Sequence, residues 1–278
     1  MSALPQYTDE PVSPIPSKKN YGTTPAEEPL LAAQAGTSRN AWMDQPAADD
    51  LPDDFKFGVN VYDCDAEIRL AFIRKVYSIL FIQLLLTSVI AFGMSFPAAV
   101  DFTRNHQYLI YIPMVGSFAS LLGVYWKRHQ HPANLILLGL FTVFESLLIG
   151  TITSYYESRI VLQALFITLG VFTGLTLFTF QTKFDFVSIY PFLFAGLMGL
   201  LTASLVQIFL PFNQNVDLAV AGFSVLIFSG FVLYDTQQIM KRLSVDEAIL
   251  GAVCLYTDLI SLFLNILRVL NNLNSRSD

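Results

Sequence analysis

Seven stretches of this chain are each apolar over the roughly 20 residues that a helix needs to cross a hydrocarbon layer about 30 Å thick. They run Val76–Phe96, Tyr108–Trp126, Asn134–Tyr155, Ile160–Phe180, Phe186–Leu210, Asp217–Met240 and Ala248–Leu270. In a bilayer core every backbone N–H and C=O must find a partner within the protein, and unbroken apolar runs of this length do so as helices. The sequence therefore predicts an all-α integral membrane protein, a seven-transmembrane-helix bundle over residues 67–278. Breakers and charges fill the joints: Pro97 with Asp101 and Arg104, Lys127 through Pro132, Glu157-Ser158-Arg159, Gln181-Thr182-Lys183, Pro211-Phe212-Asn213 and Lys241-Arg242. All are short, which suits antiparallel neighbours.

The residue counts agree. Only 14% of the 278 residues are charged, against about 25% in a soluble protein. Residues 1–75 hold 7 of the 16 Lys and Arg and 12 of the 22 Asp and Glu, and residues 1–66 hold eight of the 13 prolines. Residues 1–66 thus read as a Pro-rich acidic tail that buries too little apolar surface to offset its ordering entropy, and is expected to be disordered. It offers no apolar run behind a basic start, so the first span is expected to act as the targeting signal. Glu27-Glu28-Pro29-Leu30-Leu31 loosely matches an acidic dileucine signal, and Leu4-Pro5-Gln6-Tyr7 a proline-tyrosine ligand. A net charge of −6, two cysteines (Cys64 and Cys254) and no basic cluster argue against a nucleic-acid binder, a disulfide scaffold or a zinc framework.

Lys and Arg near span ends favour the cytosolic side. With the tail in the cytosol, that side receives Arg69, Arg74, Lys75, Lys127, Arg128, Lys183, Lys241 and Arg242, while the far-side loops receive Arg104 and Arg159. The N-terminus is accordingly expected to be cytosolic. The seventh span is the most polar, and the sequence leaves open whether it crosses fully, folds back as a re-entrant segment or lies deep in protein.

Three acids stand inside the spans, Glu145, Asp235 and Asp258. Each costs at least about 2.5–3.5 kcal/mol at a helix centre unless paired or hydrated. Asp258, Ser261 and Asn265 follow i, i+3, i+7 and share one helical face. Asp235, near the tail-side end of the sixth span, and Asp258, in the antiparallel seventh, would then stand on facing walls, at one depth if the turn between the spans is suitably arranged. Two carboxylates a few ångströms apart share a proton and titrate as a pair; the alternative is two separate, hydrated acids. Glu145 would either face the same cavity or meet a basic partner. The pairs Gly170/Gly174 and Ala195/Gly199 suggest helix-packing surfaces, and His129 with His131 lacks the further ligands of a metal site. No Gly-x-Ser-x-Gly, His-Glu-x-x-His or Gly-x-x-x-x-Gly-Lys is present. Intramembrane aspartyl proteases of the presenilin type place their second aspartate in Gly-x-Gly-Asp, where this chain has Leu255-Tyr256-Thr257-Asp258. No enzymatic activity is expected.

Six blocks carry a family resemblance: Ile68-Arg69-Leu70-Ala71-Phe72-Ile73-Arg74-Lys75-Val76-Tyr77, Pro132-Ala133-Asn134, Gln163-Ala164 through Gly174-Leu175-Thr176, Gln181-Thr182-Lys183-Phe184-Asp185-Phe186, Leu233-Tyr234-Asp235-Thr236-Gln237-Gln238, and Leu255 through Arg268. In these the chain resembles the transmembrane Bax inhibitor motif family, in its Lifeguard or Golgi anti-apoptotic branch, over residues 66–272. The resemblance implies a pH-sensitive calcium leak channel of intracellular membranes that lowers lumenal calcium and modulates cell death and stress signalling. It also implies that Asp235 and Asp258 form the gate and pH-sensing pair, near which calcium would pass transiently. Lys127 or Arg128 matches a basic latch partner, and Glu145 a glutamate common in that branch; Ser261 and Asn265 would line the cavity. Thr257 departs from the leucine often found there.

No cofactor is expected, with Ca2+ and H+ as the permeant or regulatory ions and the lipid bilayer as the surrounding partner. Two rival readings are a membrane-embedded regulator that works by binding cell-death or stress-signalling proteins, and a proton-coupled cation exchanger. The expected location is the endomembrane system, with endoplasmic reticulum, Golgi and vacuole not distinguished.

Overall fold

The computed structural model describes residues 61–277. Seven helices are long and apolar enough to cross a membrane. Their α-helical parts are α1 (Ala66–Met94), α2 (Tyr111–Trp126), α3 (Ala133–Thr153), α4 (Ser158–Gln181), α5 (Tyr190–Phe209), α6 (Gln214–Lys241) and α7 (Ala248–Ser277), the second and fifth spans also including the 3-10 turns before them. Short 3-10 turns precede α2 and α5, and no strand occurs among the described residues. The dileucine-like and proline-tyrosine-like stretches, with the rest of residues 1–60, lie outside the described residues.

The helix ends follow local chemistry. α1 begins ten residues before the apolar run read from the sequence, because Arg69, Arg74 and Lys75 are good helix formers that continue the helix beyond its apolar part. Pro97, expected as a breaker, instead opens a nine-residue helix, Pro97–Asn105, where its missing N–H costs nothing. Asn213 caps α6 by accepting a hydrogen bond from the Val216 N–H at 2.9 Å. Val61, fully buried, donates its backbone N–H to Leu243 O at 3.0 Å, so the chain just before α1 is held against the turn between α6 and α7.

α7 is the axis of the bundle. Of its membrane-length window 67% is buried, against 11–33% for the other six helices, and it packs against α6, α4, α1 and α3. Leu255, Leu259, Leu262 and Ile266 are buried along one face, and Val253, Tyr256, Ile260, Phe263 and Leu267 carry burial over more than half of its circumference. α2 leans on α3, and α5 on α6, as an outer layer. Hydrocarbon is no worse a solvent for leucine than protein is, so close packing does the work of holding such helices together. At the α5–α6 seam a Cβ on Gly196 would strike Ile227 and one on Gly230 would strike Leu193. Gly170, Gly174 and Gly199, expected to be packing residues, face open space. The outer faces present large apolar side chains to lipid, among them Phe81, Phe166, Phe209 and Leu226.

The seventh helix does not fold back. It is continuous for 30 residues and runs antiparallel along α6, so that Arg268 and Asn272 reach Asp217, in the first turn of α6. It is as long as α6 and is apolar enough to cross beside it. Its C-terminal end lies on the side opposite the start of α1, the far side, together with Arg268 and Arg276.

Candidate functional site

The seam between α6 and α7 carries ionisable groups at two levels. Toward the tail side, Asp235 of α6 and Asp258 of α7 bring their carboxyl groups within direct interaction of each other. Asp258 is only 7% exposed, and its Oδ2 has no hydrogen-bond partner. Cys254, one turn before Asp258 on α7, and Tyr125 from the end of α2 stand beside the pair, with Tyr125 Oη 4.0 Å from Cys254 Sγ. The helix carrying Asp235 is fixed by its neighbour in sequence. Gln237 accepts from the Phe186 N–H at 2.7 Å and donates to Phe184 O at 2.8 Å, clamping α6 to the chain between α4 and α5.

A neutral polar layer crosses the bundle near its middle. The Gln83 amide donates to Thr142 at 3.0 Å, Ser146 donates to Thr87 at 3.0 Å, and Thr87 and Tyr256 share a hydroxyl–hydroxyl bond of 2.8 Å. These bonds join α1, α3 and α7 through side chains that are all buried. Gln83 Oε1 alone in the layer is left without a partner, and the remaining interhelical bonds give the bundle a fixed register.

At the far end of the same α6–α7 seam stands an ion pair that the sequence reading did not find. Arg268 donates Nε to Asp217 Oδ2 at 3.0 Å, forms a second contact from Nη2 to Asp217 Oδ1, and also donates Nη2 to Gln207 at 2.9 Å. Gln207, from α5, donates to Asp217 at 3.0 Å, and Asn272 donates to it at 2.6 Å. A partial signal was present: 217 and 268 stand 25 and 21 residues from the 242–247 turn, and 235 and 258 stand 7 and 11 from it, so an antiparallel hairpin brings each pair near one level without fixing the contact.

The other candidates separate. Arg128 pairs with Glu247, just before α7, at 3.2 Å, and Lys127 donates to Gln130 in its own loop at 2.9 Å. Arg128 thus ties the loop between α2 and α3 to the turn above the aspartates, and its ion pair is with Glu247 rather than with them. Glu145 accepts a 2.5 Å hydrogen bond from Ser117 across the α2–α3 seam, where the sequence reading offered a shared cavity or a basic partner. Asn265 donates to Ser261 O at 2.8 Å, which turns that part of the polar stripe back onto its own helix. Among the described residues no three His, Cys, Asp or Glu side chains gather as ligands for a metal ion. Two facing carboxylates supply few of the six to eight oxygens that calcium takes in a tight site. What they can do is attract a cation briefly and change their mutual attraction with each proton gained or lost.

Comparison with known proteins gives the family context. The profile described as inhibitor of apoptosis-promoting Bax1 matches residues 69–276. Bax inhibitor 1 of Schizosaccharomyces pombe is 38% identical over 264 residues, 93% of this chain and 98% of that protein. Protein lifeguard 4 of Mus musculus is 40% identical over 227 residues, 81% of this chain and 95% of the relative. The Golgi anti-apoptotic protein of vaccinia virus is 38% identical over 231 residues, covering 83% and 97%.

Proposed function

This chain belongs to the Bax inhibitor family, and from that premise we propose that it modulates cell death from within an endomembrane by acting as a pH-sensitive calcium leak, with Asp235 and Asp258 as its gate. The names of its relatives, a Bax inhibitor and a Golgi anti-apoptotic protein, support the cell-death role and an intracellular membrane. The observation that carries the gate is the aspartate pair itself: two carboxyls facing each other on adjacent helices, one of them buried with an unpartnered oxygen. A bundle that needed only stability would replace such a pair with apolar side chains at no loss.

In this reading calcium moves passively from lumen to cytosol, toward the side on which α1 begins. The carboxyl groups hold α6 and α7 together at the tail-side end while they share a proton, and a change in protonation alters the balance of closed and open bundles. Oxygen ligands in a hydrated path then raise local cation occupancy without retaining the ion. Arg128, bound to Glu247, acts on the gate indirectly by steadying the turn that precedes α7.

Calcium flux into dye-loaded proteoliposomes, measured across a pH series without an imposed proton gradient, tests the reading. Wild type should exceed empty liposomes with a pH-dependent rate, and Asp235→Asn and Asp258→Asn should each flatten that dependence. Folded wild-type protein that passes no calcium at any pH would sink the leak, and an unaltered profile in both variants would sink the gate.

A further inference from the structure

A cavity of about 410 Å³ opens in the far-side half of the bundle, well away from the aspartates. α1 and α4 form facing walls and α7 the floor, with Leu84, Leu165, Leu259, Ile260 and Phe263 lining its depth and Ile149 of α3 closing one side. From Ser95 at its mouth to Leu84 is eleven residues, about 16 Å at 1.5 Å per residue. That is about half the 30 Å thickness of a bilayer's apolar core, the depth of one leaflet.

The lining is unsuited to ions or water. No charged side chain contributes to it, and most of its hydroxyls are already committed, leaving those of Tyr156 and Ser158 near the mouth. Ser88, Ser95, Thr153 and Ser154 donate to carbonyls of their own helices, and Thr87 is engaged with Gln83 O and Tyr256. A buried water needs two to four polar partners, and a calcium ion more oxygens still. The mouth is continuous with the lipid-facing surface: Phe92, 67% exposed, and Leu162, 54% exposed, are both lining residues and outer-face residues. At the same end stand Arg104, stacked over the Tyr155 ring at 5.9 Å, Arg159, Asp101 and Glu157. Two cations and two anions at headgroup level match a zwitterionic headgroup rather than an anionic one.

We propose that this cleft is a lipid site that takes one acyl chain of a zwitterionic phospholipid from the far-side leaflet, its headgroup among Arg104, Arg159 and the hydroxyls at the mouth. The chain lies against α7 and keeps α1 and α4 apart on that side. The site stands independently of calcium conduction.

The test uses full-length protein reconstituted with phosphatidylcholine carrying a photoactivatable diazirine near the end of one acyl chain, with adducts mapped by mass spectrometry. Wild type should be labelled at the buried floor, on Leu259 or Phe263, as well as on outer-face residues such as Leu226. Ala91→Trp, which fills the cleft, should lose the floor adducts and keep those at Leu226; Leu165→Trp provides a second filling from the opposite wall. Folded wild type labelled only on its outer faces overturns the proposal. So does floor labelling that survives both fillings, or a floor reached by a water-soluble diazirine and not by the lipid.

Discussion

The two ends of the α6–α7 seam make a direct comparison, because each places an aspartate of α6 against a residue of α7. At the far end Asp217 meets a guanidinium and two amides, and every strong acceptor site on the carboxylate has a donor. At the tail-side end Asp235 meets another acid, and an oxygen of Asp258 is left without a partner. The same two helices are thus stapled by a satisfied ion pair at one end and carry two facing acids at the other. The 242–247 turn joins the helices at the tail-side end, so any rearrangement there is a local repacking around the two aspartates, while the Asp217–Arg268 contact fixes the far end.

That contrast can be broken by substitution, and the largest effect should come from Arg268→Ala. It leaves a partly buried Asp217 carboxylate without its cation and should cost about 3 kcal/mol, read as a lower midpoint in thermal unfolding of the purified protein. Next comes a single chemical change made at both ends. Asp217→Asn removes charge-assisted bonds to Arg268 and should destabilise by about 2 kcal/mol. Asp258→Asn removes a carboxyl that has no cation and should leave stability unchanged or raise it by about 1 kcal/mol. Equal losses at the two positions would erase the distinction drawn here. A double-substitution cycle sharpens it further: the coupling between 217 and 268 should be favourable, and that between 235 and 258 should change sign with pH. The smallest effect belongs to Arg128→Ala. Its partner bond to Glu247 is half exposed, so stability should fall by less than about 1 kcal/mol, an effect that added salt removes.

Much of this arrangement was legible in the sequence because hydropathy reports membrane spans directly. All seven spans are present, and the misplaced ends have identifiable causes: Arg69, Arg74 and Lys75 extend α1 as polar helix, and Asn271 through Ser277 extend α7 where hydropathy has already fallen. The facing of Asp235 and Asp258 could be offered as one of two readings, because an antiparallel hairpin brings the two acids near one level while the geometry of the turn sets whether they meet. The Asp217–Arg268 pair obeyed the same rule but was passed over, since an acid at the start of one span and a base near the end of the next each look like ordinary flanking charges. Glu145 shows the limit of such reasoning. Its partner Ser117 sits on α2, and nothing in the spacing of two separate spans says which small hydroxyl on one helix will meet an acid on the other. Small-residue pairs misled for a related reason: Gly196 and Gly230 make the close approaches while Gly199 faces outward, a difference of helical azimuth that pairs spaced four apart do not encode.

The central place of α7 also bears on how the protein is made. The helix around which α1, α3, α4 and α6 pack leaves the ribosome after all of them. Until it arrives, the polar residues that α1 and α3 turn toward it, Thr87 among them, lack the Tyr256 hydroxyl that completes their layer. The earlier helices wait without their axis: α1 and α3 are joined by the Gln83–Thr142 and Ser146–Thr87 bonds, α2 to α3 by Ser117–Glu145, and α5 to α6 by Gln207–Asp217. Insertion of the seventh helix then closes the core in one step, which makes that event the natural checkpoint for membrane quality control: a chain stopped short of it would display an open, polar-lined groove rather than a slightly weakened bundle.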